Sequence, residues 1–133
     1  MKAAVITGHG EIDKVMVVND LPIPEPEAGE VRLQMKAVAL NRLDLWVRAG
    51  WAGLKLTMPH IMCADGAGVV DKVGDGVTQY QAGDRVCIDP TIVDKDSPAL
   101  MTGLENQSRI HLLGETVPGV GAEYVVLPQR NLM

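Results

Sequence analysis

Two short clusters hold the side chains of this 133-residue chain most able to do chemistry. The first is Asn41-Arg42-Leu43-Asp44, with Trp46 and Trp51 close behind; the second is Cys63-Ala64-Asp65. An amide three residues ahead of a carboxylate fits a helix start. Asn serves there as the N-cap, and Asp in the first turn suits the positive end of the helix dipole. The same pair at the floor of a cleft can also face a ligand, so the two roles are compatible. Cys63 would be a nucleophile only as a thiolate, and no His or Lys stands beside it to lower its pKa, so a buried structural cysteine is the plainer reading. Asp65 needs a partner, from nearby backbone or from an arginine. Trp46 and Trp51 flank Gly50 and suit either a substrate pocket or packing at a helix end. His9, His60 and His111 are scattered without metal-ligand spacing and read as surface or loop residues.

Both clusters depend on the elements that carry them. Residues 1–8 and 15–18 read as strands, joined onward by Leu21-Pro22-Ile23-Pro24-Glu25-Pro26, an extended polyproline-like link. Gly29 opens the cleanest strand: Val31, Leu33, Met35 and Ala37 alternate with Arg32, Gln34 and Lys36. That pattern breaks at Asn41, and Leu43, Leu45, Trp46 and Val47 suit a short helix over residues 41–49, with Gly50 just past its end. Further strands are expected at 66–73 and 84–88, with Gly74, Asp75 and Gly76 able to supply positive φ between them. Gly66 and Gly68 lie inside an apolar run, which marks close approach of another backbone or a ligand. Residues 89–121, with Pro90, Pro98 and Pro118, form a long polar excursion expected to be a small lobe. Strand character returns at Ala122-Glu123-Tyr124-Val125-Val126-Leu127.

Composition narrows the classes. The length suits one domain, and 47% hydrophobic with 22% charged residues is ordinary for a globular chain. Phe is absent, so Val, Leu, Ile, Met and Ala must build the core. A net charge of −5 argues against nucleic acid and anionic membrane surfaces as partners. No apolar run reaches the roughly 20 residues of a membrane span, and the apolar start is too short for a signal peptide. Two cysteines give no disulfide framework, which makes a cytoplasmic location the default expectation.

The order of the motifs adds a resemblance. Met1-Lys2-Ala3, Gly29-Glu30-Val31, Asn41-x-x-Asp44, Arg48-x-Gly50, the glycine-rich stretch from Cys63 to Val77, Gly83-Asp84-Arg85-Val86 and Ala122-Glu123-Tyr124-Val125 follow one another along the whole chain. Together they resemble the N-terminal, GroES-like catalytic domain of the medium-chain dehydrogenase/reductase family. The resemblance implies a mainly β fold: a GroES-like, partly open β-barrel with a few short helices and a loop-rich lobe at 89–121. In that family the domain packs against a Rossmann domain that binds a nicotinamide cofactor. No Gly-x-Gly-x-x-Gly lies between a strand and a helix here, and Gly119-x-Gly121 is a lone pair. Residues 1–133 therefore read as the catalytic half, expected to be inactive without the missing C-terminal Rossmann domain.

Departures from the zinc-dependent members decide the expected chemistry. The resemblance puts Asn41 where a zinc-binding cysteine stands and Ala64 where a zinc-binding histidine stands. An amide and a methyl group cannot replace thiolate and imidazole at a site that needs three protein ligands. Leu43 takes the place of the hydroxyl that relays the alcohol proton, while Asp65 keeps the acidic position. The four structural-zinc cysteines fall on Asp94, Ser97, Leu100 and Ser108, so the lobe is expected to hold by packing of Ile92, Leu100, Leu104, Ile110 and Leu112. No metal is expected. Asn41 with Asp44 matches the zinc-independent, quinone oxidoreductase-like branch, which implies direct hydride transfer between NAD(P) and a quinone, other carbonyl or alcohol. Asn41, Asp44 and Asp65 are then the expected catalytic residues, Asn41 as donor to the acceptor oxygen. Leu43, Trp46, Trp51, Cys63 and Ala64 would line the substrate pocket, with Arg42 and Asn41 toward the cofactor. A homodimer is compatible with this reading. Two rivals stand beside it: a GroES-like oligomerising domain without catalysis, and a zinc alcohol dehydrogenase with degenerate ligands.

Overall fold

A computed structural model describes residues 1–94, 97–98, 102–104 and 109–133. Its longest strand, β3 (Glu30–Ala39), follows from the alternation that begins at Val31. Val31 and Leu33 point inward and are fully buried, while Arg32 and Gln34 on the opposite face stay half-exposed. The strand runs antiparallel to β5 (Asp65–Val73) on one side and β9 (Tyr124–Pro128) on the other, and β6 (Arg85–Cys87) completes the order β6-β5-β3-β9. A second sheet has the order β2-β1-β4, from β1 (Ala3–Ile6), β2 (Val15–Val18) and β4 (His60–Ile61). Backbone bonds stitch the two together: Ala4 donates to the Gly121 carbonyl at 2.7 Å, and Glu123, just before β9, donates to the Lys2 carbonyl at 3.0 Å. Ile6, Leu33, Val5, Val31, Val47, Val70 and Val120 fill the shared interior, the aliphatic core expected of a chain without Phe. The result is a mainly β, partly open barrel.

Two local expectations change. Ala37 is exposed, because the register of β3 against β5 shifts between Met35 and Ala37. Such an irregularity re-aims the side chains beyond it. Past Met35, which donates to the Glu123 carbonyl at 2.9 Å, the strand outruns β9, and among the described residues it pairs with β5 alone, so Ala37, Val38, Ala39 and Leu40 are all exposed. Of Gly74, Asp75 and Gly76, only Gly76 has positive φ, at 76°. Gly74 is needed for a different reason: a Cβ there would overlap the carbonyl of Glu27. Gly68 meets the expectation of close approach, since its Cβ would lie 2.7 Å from the Gln34 carbonyl oxygen.

The lobe is built around a two-stranded ribbon, β7 (Thr91–Val93) and β8 (Ile110–Leu112). Leu104 and Ile110 are exposed and cannot be its core; Leu100 and Ser108 lie outside the described residues. Ile92 does pack against the main core. Polar ties do much of the anchoring: the buried Asn131 amide donates to the carbonyls of Asp89 (3.0 Å) and Thr91 (2.8 Å), and Arg130 bonds the Val93 carbonyl. Among the described residues no helix is long and apolar enough to cross a membrane.

Candidate functional site

Helix α1 (Arg42–Ala49) starts where β3 ends, with Asn41 in extended conformation at its N-cap. Asp44, three residues on, turns its carboxylate back toward the helix start, where Oδ2 accepts the Asn41 backbone N–H at 2.7 Å. The other oxygen, Oδ1, accepts the backbone N–H of Cys63 at 2.9 Å. One carboxylate thus ties the helix start to the second cluster. Asn41 completes the contact with its side chain: Nδ2 donates to Asp65 Oδ2 at 2.7 Å. An ionised carboxylate can only accept, so the nitrogen end of the amide must face Asp65.

The second cluster is held in an unusual shape. Cys63 has φ of +72°, a left-handed conformation that side chains seldom adopt. Three glycines of the 114–121 segment pack against this corner. A Cβ on Gly114 would come 2.9 Å from the Cys63 carbonyl carbon, one on Gly121 2.8 Å from the Met62 carbonyl oxygen, and one on Gly119 would overlap the Cys63 carbonyl. The segment also bonds the corner directly, Val120 donating to the Cys63 carbonyl and Gly121 to the Met62 carbonyl, each at 2.8 Å. These glycines are the part of the site that motif reading missed. Their signal was Gly119-x-Gly121 placed just before a strand, a pair without meaning until its neighbour in space is known.

Burial works against thiolate chemistry at Cys63. It is 2% exposed, and burial, with the Asp44 charge adding to it, pushes its thiol up to about 11. Ala64 is buried beside it, and Leu43 packs partly against the core. Arg42, Trp46 and Trp51 are exposed, and Asp65 is half-buried. Asn41, Asp44, Cys63 and Asp65 are therefore joined through hydrogen bonds. Neither of two surface cavities of about 590 and 480 Å³ is lined by Asn41, Leu43, Trp46, Trp51 or Ala64; Cys63 borders the smaller. His60, expected at the surface, is 3% exposed inside β4.

The residues present fit zinc poorly. Asn41 offers an amide already engaged with Asp65, and Ala64 offers only a methyl group. Among the described residues no three of His, Cys, Asp and Glu converge as a ligand set. What the arrangement does offer is an oriented amide: one N–H of Asn41 is fixed on Asp65, leaving the second to address a ligand oxygen.

Comparison with known proteins bears on the same residues. The model of the alcohol dehydrogenase GroES-like domain matches residues 27–133. The fold matches a crystal structure of an NAD-dependent alcohol dehydrogenase with a TM-score of 0.91 and 46% identity, over 100% of this chain and 39% of that one. It matches a cobalt- and zinc-bound thermostable alcohol dehydrogenase from Pyrobaculum aerophilum with a TM-score of 0.85 and 32% identity, over 100% of this chain and 40% of that one. Among curated proteins, the quinone oxidoreductase of Rattus norvegicus is 29% identical over 86 residues, 65% of this chain and 26% of that protein. The mitochondrial NAD(P)H oxidoreductase RTN4IP1 of Dictyostelium discoideum is 34% identical over 91 residues, 65% of this chain and 26% of that protein. The chain thus spans about a quarter of these curated relatives and about two fifths of the solved ones.

Proposed function

The chain belongs to the alcohol dehydrogenase GroES-like domain family, and on that premise we propose that it is the substrate-handling half of an NAD(P)-dependent oxidoreductase working without zinc. The observation that carries this reading is the 2.7 Å bond from the Asn41 amide to Asp65. It engages the amide that stands where the resemblance would put a zinc-binding cysteine with the carboxylate next to Ala64, where the resemblance would put a zinc-binding histidine. A relative that binds cobalt and zinc makes the metal question a live one, and the zinc-free reading rests on this chain's own side chains.

The roles follow from chemistry and exposure. Asn41 presents its second N–H to the oxygen of a quinone, other carbonyl or alcohol, where negative charge gathers as hydride arrives. Asp65 holds the amide nitrogen in place, and the second N–H on that nitrogen is the donor available to a ligand. Leu43, Trp46 and Trp51, on and just after α1, supply apolar wall for the substrate. Arg42, exposed in the first turn of α1, is suited to an anionic group of the cofactor. A nicotinamide held by a second domain supplies or takes the hydride. Both cysteines are free thiols, which suits a cytoplasmic location.

Two measurements test the proposal. After dialysis the chain should retain no stoichiometric zinc by elemental analysis. Joined to a nicotinamide-binding domain, it should reduce quinones or enones with NAD(P)H at a rate that a chelator leaves unchanged. Tightly held zinc, or loss of turnover in chelator, would sink the zinc-free reading.

A further inference from the structure

Asp44 is 5% exposed, so in this fold it cannot touch a substrate. Both of its oxygens are spent on backbone, Oδ2 on Asn41 at 2.7 Å and Oδ1 on Cys63 at 2.9 Å. These two partners sit at the feet of the pair that does face the site. Asn41 carries the amide, and Cys63 lies two residues before Asp65, which accepts from it. The corner at Cys63 is strained at φ +72°, and strain of this kind persists only where surrounding contacts over-determine it. On one side the constraint is the carboxylate of Asp44; on the other it is the glycine-lined segment of Gly114, Gly119 and Gly121. Relaxing Cys63 out of the left-handed region would rotate the chain leading into β5 and carry Asp65 away from the amide.

From this geometry we infer that Asp44 is a positioning residue: it clamps α1 to the strained Cys63 corner and thereby sets the orientation of the Asn41 amide against Asp65. Asp44 makes no contact with substrate and moves no proton. The inference deepens the role given to Asn41 above and rests on it for its functional meaning, but its structural content stands apart from any assay of hydride transfer.

The test uses the 133-residue chain and nuclear magnetic resonance of the Asn41 side-chain NH₂ group. In the native protein one Nδ2 proton should exchange slowly and the two protons should be well separated in shift, because one is held by Asp65. Asp44→Asn should make that proton exchange at least about tenfold faster, as a local opening would. Asp65→Ala, which removes the acceptor itself, should do the same. Leu127→Ala, in the core and remote in sequence from the clamp, should lower the melting temperature without altering the Asn41 resonances. If Asp44→Asn does not fold, Asp44→Ser, which keeps one acceptor, takes its place. Unchanged Asn41 resonances in a folded Asp44 variant would overturn the clamp, as would an equal loss of protection in Leu127→Ala. Failure of the oxidoreductase reading would register instead in metal content and turnover, leaving these resonances as they are.

Discussion

The residues of the site divide by what surrounds them. Cys63 and Cys87 are the same thiol chemistry in opposite settings, one buried and pushed to about 11, the other exposed. An aromatic disulfide reagent near neutral pH should therefore titrate one thiol in the native chain, Cys87, and both in denaturant; rapid reaction of Cys63 would contradict its burial. His60 is the second buried ionisable group with a clear consequence. Burial lowers its pKa, the Gly114 backbone pulls the other way, and His9 adds a small lowering. The folded state therefore binds a proton less readily than the unfolded chain, whose imidazole titrates near about 6.5. Stability from this source is fully present above that value and drains as pH falls through it. The urea midpoint should drop between about pH 7.5 and about pH 5, and His60→Gln should flatten that part of the dependence. An equal drop in the variant would assign the acid loss to other groups.

At the level of elements, the 114–121 segment and the end of β3 carry the sharpest expectations. Gly119 has no room for a Cβ, because the Cys63 carbonyl occupies the space. Gly119→Ala should cost about 3 kcal/mol, measured by denaturant unfolding. Gly83→Ala is the contrast: that residue has positive φ but open space around it, so only the backbone term of roughly 1 kcal/mol applies. Elsewhere the proline-rich strap before β3 is pinned by Arg32, which reaches Asp71 and Glu25 at 2.6 Å each and the Pro24 carbonyl at 3.1 Å. Glu25 in turn holds Lys72 at 2.7 Å. Three acceptors around one guanidinium explain why the strap lies flat on the sheet; its ion pairs are too exposed at Glu25 to add much stability individually.

At the scale of the whole molecule, the two larger sheets enclose one core, and the site lies where they meet. β3 extends past β9 there, leaving Ala37, Val38, Ala39 and Leu40 exposed, Leu40 by 77%. An apolar strand end with one unpaired side is a template for association. Val38→Lys should slow aggregation on heating while shifting stability by no more than about 0.5 kcal/mol, the usual range for an exposed position. Faster or unchanged aggregation, followed by light scattering, would show that association runs through another surface.

Much of this molecule was legible in the chain. The period-two run from Val31, the 15–18 strand, the Asn41-x-x-Asp44 helix start and the glycines at 66 and 68 are local patterns. Local patterns are read directly because side-chain direction in strands and helices follows sequence spacing. The motif order was enough to identify the alcohol dehydrogenase GroES-like domain. What the sequence could not give were relations between segments distant along it. Asn41 meets Asp65 only because the shifted register of β3 against β5 sets Ala39 opposite Asp65. His60 became a buried group because β4 closes against β1, and Gly119 became essential because its segment crosses the Cys63 corner. Burial, and with it the state of a thiol, an imidazole or a carboxylate, depends on what the tertiary fold brings alongside, and no spacing along a single chain encodes that neighbour.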